Sequence, residues 1–560
     1  MLKCLKIIVA LLGLAVALPA CTNAADVAAG KVYFQANCAL CHDASPAMTT
    51  FQGPPLFGVV GRKVGQAKGF DYSDALKAAN GQGNTWTKAM LDTFLSDPQK
   101  AMPGTAMPAQ VDNPQDRKHL IAYLASLNAP VAKATPTAAK QSAFPGLATL
   151  DWHKDAPGVR HSITVADLPA PFATQSAGNS STYVAPPEGF LPKVPAGFTV
   201  SVFARVDNPR LFRTAPNGDL YVVQQDRGSI VVYRNHDGVL AAQPETFASD
   251  LDHPFGLSFY PSAAPRYAYV GQVGSVVRIP VTGGASETVI AHLSSTGGHN
   301  TRNLVFSPDD KYMYVSVGSG SNVAEGMSAS PPGGADAWQA AHGFGSSWGD
   351  EDGRAVVLRF TPDGGDRHVV ATGIRNCVGL GFRPGTNDLY CSTNERDALG
   401  DNLVPDYFTR VADGQFFGWP WFYLGDHQDP RHKGERGDLA GKITVPDLLF
   451  GSHSAPLGFA FYQAPAGASH AFPADYNGNA FVALHGSWNR SQRTGSKVVR
   501  VQFKDGKPDG VYEDFLTGLI IDDRRVSGRP AAVAVGPDGA LYVGDDTGGV
   551  IWRVAPTGTQ

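Results

Sequence analysis

The chain has 560 residues, with 46 Lys and Arg against 50 Asp and Glu and a formal net charge of -4. Charged residues make up only 17%, below the roughly 25% of ordinary globular chains, and there is no basic stripe; this excludes a coiled coil, a charge-rich disordered tail and a nucleic-acid binder, which needs clustered cations to release counterions. Gly 63, Pro 41 and 10% aromatics point to many short strands joined by tight turns around a large apolar core.

Residues 1–24 read as an export signal. Lys3 and Lys6 flank the start of an apolar run from Ile7 to Leu18, too short to span a bilayer and of the right length for a signal-peptide core. Two cleavages fit the small residues that follow. One at Cys21 would leave that residue to carry a lipid anchor; one near Ala24 would leave a soluble protein. Both export the chain, and the expected location is the periplasm. No later run has the length of a transmembrane helix.

Residues 26–128 form a first domain around Cys38-Ala39-Leu40-Cys41-His42. Two thiols three residues apart can add across both vinyl groups of one haem, while the adjacent His42 reaches the iron. A zinc site would need further Cys or paired His nearby, and none follows. Helices are predicted over residues 27–38, 88–96 and 114–126. The second axial ligand is Met102 or Met107, in Ala101-Met102-Pro103-Gly104-Thr105-Ala106-Met107-Pro108. Gly53-Pro54-Pro55-Leu56, Gly61-Arg62-Lys63, Gly69-Phe70-Asp71-Tyr72, Asn84-Thr85-Trp86 and Leu120-Ile121-Ala122-Tyr123-Leu124 occur in the order found in class I cytochrome c, which this region resembles. The resemblance implies an all-α haem c domain with Met107 on the iron and Met102 as a packing residue.

From residue 129 to 195 repeated Pro in an Ala/Ser/Thr-rich context reads as a linker or an extended arm, with Leu150 to Val165 less biased and able to dock on the body. Residues 196–556 then repeat one phrase, a Pro turn with Asp, Asn or Gly followed by a strand, near Pro216, Pro261, Pro308, Pro384, Pro473 and Pro537. A base period of about 40–50 residues with short strands is that of a propeller blade, and six copies predict an all-β six-bladed propeller. The longer gaps place insertions near Ser319 to Asp350 and Asp397 to Phe450. Cys377 and Cys391 flank a predicted hairpin; in an oxidising compartment they form a disulfide or remain two buried thiols.

His and Arg recur where the chain enters successive inner strands: His253 before the second copy, His299 and Arg302 before the third, Arg375-Asn376 before the fourth, Arg529 before the sixth. Trp488-Asn489-Arg490 follows the fifth strand and Asn394-Glu395-Arg396 the fourth. Guanidinium groups converging on one axis repel unless an anion sits between them; each of them alone could instead face solvent or pair with a nearby acid.

These phrases resemble the PQQ-dependent sugar dehydrogenases of the sorbosone and pyranose dehydrogenase type. The resemblance implies PQQ at the propeller axis, its carboxylates held by Arg; His299 as general base beside Arg375; and Arg210, His253, Arg302, Asn376, Asn394, Trp488, Arg490 and Arg529 along the cofactor. It also implies Ca²⁺ on backbone oxygens around Asn394, Glu395 and Arg396. The implied activity is oxidation of an aldose or related aldehyde, with electrons passing to haem c and on to a cytochrome, oxidase or quinone pool. A Ca²⁺-dependent propeller hydrolase would instead bring several carboxylates together at the axis, and a docking module would need neither the His nor the Arg.

Overall fold

A helix starts well where a side-chain oxygen takes up its free N–H groups, and the N-terminal unit does this three times. Thr87 accepts from Met90 N, Asp97 from Lys100 N and Asn113 from Gln115 N, the last followed by Pro114 at the first helical position. The protein is described here by a computed structural model covering residues 24–39, 42–45, 48, 53–67, 70–107, 110–127, 146–147, 150–295 and 297–558. It divides into two compact units, Met1–Ala134 and Thr135–Gln560; residues 1–23 of the segment expected to be an export signal lie outside the described residues.

The first unit is helical: α1 Ala24–Asn37, α2 Asp74–Gly81, α3 Lys88–Ser96, α4 Pro98–Ala101 and α5 Pro114–Ser126. The three expected helices correspond to α1, α3 and α5, and two short ones are added. Phe34, Trp86, Leu91, Phe94, Leu120 and Leu124 form its core. α1 crosses α5 at Gly30, where a Cβ would stand 1.9 Å from the carbonyl oxygen of His119. Only glycine lets the two backbones approach that closely. Among the described residues no helix is long and apolar enough to cross a membrane.

The second unit is a six-bladed propeller. The first strands of the blades are Pro209–Thr214, Leu257–Tyr260, Leu304–Phe306, Cys377–Phe382, Pro456–Phe461 and Pro530–Val535, and neighbouring ones pack against each other around a complete ring. Each leads through one copy of the Pro phrase into an antiparallel second strand, so the repeat seen in the sequence is the turn between inner and second strands. Blade 6 is built from both ends of the unit: its outermost strand is Phe198–Arg205, paired with Val550–Pro556. Cys377 and Cys391 are joined in a disulfide within the first hairpin of blade 4, with Cα atoms 5.7 Å apart.

The stretch expected to be a linker is, from residue 150 on, part of this body. Arg160–His161 adds a fifth strand to blade 5, pairing with Tyr512 and Glu513. Beneath it Lys497, 3% exposed, bridges Asp155 at 2.8 Å and Asp514 at 2.7 Å, and His161 lies 3.0 Å from Asp514. Further along, Asn179 ties two loops together: its side-chain amide donates to the carbonyls of Arg490 and Ser491 on one and of Asp523 on the other. The composition of a flexible tether hid this docking because the partners lie more than 300 residues away in sequence.

In antiparallel four-stranded blades the chain leaves at one end both between the second and third strands and between the outer strand and the next inner one. The residues singled out above in this unit lie on connections of these two kinds or at the strand ends beside them, and therefore on one face. The blade 3 insertion carries the helix α6, Ala335–His342, and packs with residues 415–443 around Trp348, Trp421, Phe416 and Leu439.

Candidate active site

His299 lies on the connection from blade 2 to blade 3. Its Nδ1 is 2.8 Å from the Ser319 carbonyl oxygen and 3.0 Å from Ser319 Oγ. A carbonyl only accepts, so Nδ1 carries the proton and Nε2 holds the lone pair. Nε2 has no hydrogen-bond partner among the described residues. Burial, with the Arg375 guanidinium adding to it, pushes the imidazole down to about 3; it is neutral at physiological pH. Gly318 opens the space between neighbouring loops: a Cβ there would stand 2.4 Å from Asn376 Oδ1 and 2.9 Å from the His299 Cβ. His299 and Asn376 are thus brought together around it.

Arg375 is 4% exposed. It donates to Asn322 Oδ1 at 3.0 Å, to the Asn394 carbonyl at 3.2 Å and to the Glu395 carbonyl at 2.7 Å, and it lies 3.7 Å from the Asp397 carboxylate. Asp397 also meets His453 Nδ1 at 3.1 Å, and His453 Nε2 donates to the Gly400 carbonyl at 3.0 Å. With an acceptor at each nitrogen His453 is an imidazolium, and the carboxylate raises its pKa against the burial that lowers it. Burial holds Glu395 up at about 8 and Asp406 at about 6.

Across the ring stands a second cluster. Arg529 donates to the carbonyls of His485 at 3.0 Å and Gly486 at 2.9 Å, and no carboxylate touches its guanidinium among the described residues. Burial pulls it down to about 10. His485 Nε2 lies 2.8 Å from Asp546, which also pairs with Arg210. Arg490 is fully buried, donates to the Asp401 carbonyl at 2.7 Å, and leaves Nε and Nη2 without partners among the described residues. Nitrogens left in this state are costly unless an acceptor completes them. Trp488 is half-buried beside Arg490, and its carbonyl accepts from Asn179 N at 2.6 Å.

In the first unit His42 Nδ1 donates to the Pro54 carbonyl at 2.7 Å, which leaves Nε2 with its lone pair available, and burial lowers its pKa. Cys38, half-buried past the end of α1, accepts at its carbonyl from His42 N at 2.9 Å. Cys41 lies outside the described residues. Met102 is 8% exposed in the core, whereas Met107 packs at its edge.

Two family models match the chain: TrAA12-like over residues 192–406 and 425–557, and cytochrome c over residues 27–128. This chain belongs to the TrAA12-like family, with a cytochrome c at its N-terminal side. Over 127 residues it is 40% identical to cytochrome c2 of Rhodomicrobium vannielii, matching 97% of that protein and 22% of this chain. Its fold is shared with the holo pyranose dehydrogenase PQQ domain of Coprinopsis cinerea, at TM-score 0.52 and 20% identity, over 67% of this chain and 100% of that one. It is also shared with the calcium structure of a Trichoderma reesei carbohydrate-active enzyme of family AA12, at TM-score 0.52 and 18% identity, over 68% and 99%.

The geometry of this TrAA12-like propeller revises several sequence expectations. Arg210 pairs with Asp546 and Arg396 with Asp429 at 2.9 Å, so each guanidinium already has a carboxylate inside the fold. Arg302 is fully buried and, among the described residues, donates only to backbone carbonyls. His253 points outward, with its side chain 57% exposed and paired with Asp252. The backbone oxygens of Asn394 and Glu395, expected to bind Ca²⁺, accept from Arg375 instead. The sequence expectations missed Ser319, Asn322, His453, His485 and Asp546; their partners in the fold are too distant in sequence for any motif to join them.

Proposed function

We propose that this chain is an exported quinohaemoprotein dehydrogenase that oxidises an aldose or a related sugar aldehyde and passes the electrons to its own haem c. The observation that carries the reading is the state of His299: Nδ1–H fixed on Ser319 O, Nε2 free and unprotonated, on the same face as Arg375 and Arg529. The residues fit an anionic cofactor with several carboxylates. Arg490 has two buried nitrogens lacking acceptors, and Arg529 has no carboxylate of its own. These two would hold PQQ, with Asn376 and Asn394 beside it. PQQ supplies, when bound, the acceptor for the hydride that leaves the substrate carbon.

The chain's own groups do the rest. Nε2 of His299 takes the hydroxyl proton of a hemiacetal or hydrated aldehyde. The Ser319 carbonyl keeps the ring in one tautomer and orientation. Arg375, held rigid by Asn322 and two carbonyls, stabilises negative charge that develops on oxygen. Ca²⁺ does not fit the Asn394 and Glu395 carbonyls, because a dication there would lie against the Arg375 guanidinium. In the cytochrome, Cys38, Cys41, His42 and Met107 would hold the haem, which accepts electrons one at a time. The Cys377–Cys391 disulfide supports an oxidising compartment, and the periplasm is the proposed location. A cytochrome, oxidase or quinone pool would take the electrons onward.

The test is to load the full haem-containing chain with PQQ and follow the haem absorption bands against a panel of aldoses and aldehydes. Reduction of the haem by at least one of them is expected. No reduction by any, with PQQ demonstrably bound, overturns the reading. A hydrolase would release acid without reducing the haem.

A further inference from the structure

Two buried arginines meet under the candidate base. Arg302 is fully buried and Arg354 is 1% exposed. Arg302 Nη1 donates to the His299 carbonyl at 3.0 Å and to the Thr301 carbonyl at 2.7 Å, and Nη2 donates to the Ser294 carbonyl. Arg354 donates, among the described residues, to the carbonyls of Gly318 at 3.0 Å, Ser294 at 3.2 Å, His299 at 2.8 Å and Ser319 at 3.0 Å. The carbonyls of Ser294 and His299 therefore each accept from both guanidiniums. Burying two like charges side by side is costly, and each lowers the proton affinity of its neighbourhood. An apolar or neutral pair would close the same loop at less cost if shape were all that mattered.

The Ser319 carbonyl joins this pair to the imidazole. It accepts both Arg354 Nη2 at 3.0 Å and His299 Nδ1 at 2.8 Å. Its electron density is already drawn toward a full positive charge, so it is a weak acceptor for an imidazolium while still orienting a neutral ring. The charged groups that face His299 are Arg375 on the next inter-blade connection, Arg354 beneath it and Asp397 on the blade 4 loop. Glu351 lies beside Arg354 and is itself engaged by Gly320 N at 2.6 Å and Ser321 Oγ at 2.5 Å. No carboxylate touches the ring among the described residues.

The geometry points to Arg302 and Arg354 as positioning residues for His299: a paired guanidinium clamp that fixes both ends of its loop through shared carbonyls and keeps Nε2 unprotonated. This rests on His299 being the base, and the test separates the two. In the full haem-containing chain without PQQ, the pH dependence of diethyl pyrocarbonate modification of His299 is mapped by peptide mass spectrometry. That reagent attacks only the neutral imidazole, so its rate reports the protonation midpoint with no turnover involved.

Arg354→Met is expected to raise the midpoint by about one pH unit or more, a change of about tenfold in reactivity at acid pH. Arg354→Lys, which keeps the charge, is expected to leave the midpoint near that of the parent while lowering kcat. Arg354→Gln, which retains a donor for the shared carbonyls while removing the charge, supplies the same reading if Arg354→Met does not fold. An unchanged midpoint in a folded charge-removing variant overturns the proposal, as does an equal midpoint in the Met and Lys variants. His299→Ala with full turnover would overturn the base assignment and leave the midpoint result standing.

Discussion

His299 is a histidine whose neighbours keep it neutral, and this has two consequences that can be measured. With its folded pKa held near 3, the proposed base is not lost as pH falls through the ordinary histidine range. The acid limb of kcat/KM should therefore stay flat from neutral pH down to about pH 5, where a solvated histidine would already be mostly protonated. For stability the sign runs the other way from a paired histidine. The unfolded chain binds the proton first, so the stabilising contribution is full above the unfolded value of about 6.5 and is lost as pH falls toward the folded one. Replacing His299 by Ala should lower turnover by about 10² to 10⁴ while the haem spectrum stays unchanged; turnover at the parental rate would remove the residue from the mechanism. At the same scale, Gly30→Ala forces a Cβ to 1.9 Å from the His119 carbonyl oxygen. It should cost the cytochrome unit at least about 1–3 kcal/mol, read from the thermal loss of its Soret dichroism.

At the scale of elements, the six turns are legible because a Pro recurs shortly before each buried second strand, in five of the six with Asp, Asn or Gly close behind it. Equivalent positions also fix which face a residue occupies. They do not fix its direction. His253 lies on the same kind of connection as His299, yet it has a φ of 46° and turns into solvent. Arg210 matches the pattern of a cofactor ligand, but its carboxylate arrives from Asp546, 336 residues later. Position on a blade is encoded locally; charge compensation is encoded in pairs that only the fold brings together. The arm is the clearest case. Its Pro-rich composition reads as tether, while Lys497 beneath it holds two buried carboxylates. Lys497→Met leaves Asp155 without its cation and Asp514 with His161 alone, and should cost about 3–5 kcal/mol. Chemical denaturation would measure that loss, and limited proteolysis would show the residues around Arg160 released.

For the whole molecule, linking an electron donor to its acceptor turns a collision into an event within one chain. Cleavage at a protease site inserted within residues 129–145 should leave sugar oxidation with an artificial acceptor intact. Haem reduction should change from a rate independent of protein concentration to one that falls on dilution. A rate that still ignores dilution after cleavage would show that the covalent connection is not what brings the electrons across. Both folds are legible in the order of the amino acids alone, the cytochrome from one pentapeptide and its flanking motifs, the propeller from its repeat. The ring closure is not, because Phe198–Arg205 carries no copy of the repeated phrase and finds its place only by pairing with Val550–Pro556.

That latch gives the polypeptide an order of events. The helical unit is made first, and its described helices pack on one another around one core. The wheel stays an open arc, with the edge of Phe198–Arg205 uncovered, until Val550–Pro556 at the other end of the unit has been made. Messages truncated before Val550 would yield a haem-bearing product trailing an unclosed sheet edge, a natural substrate for quality-control proteases.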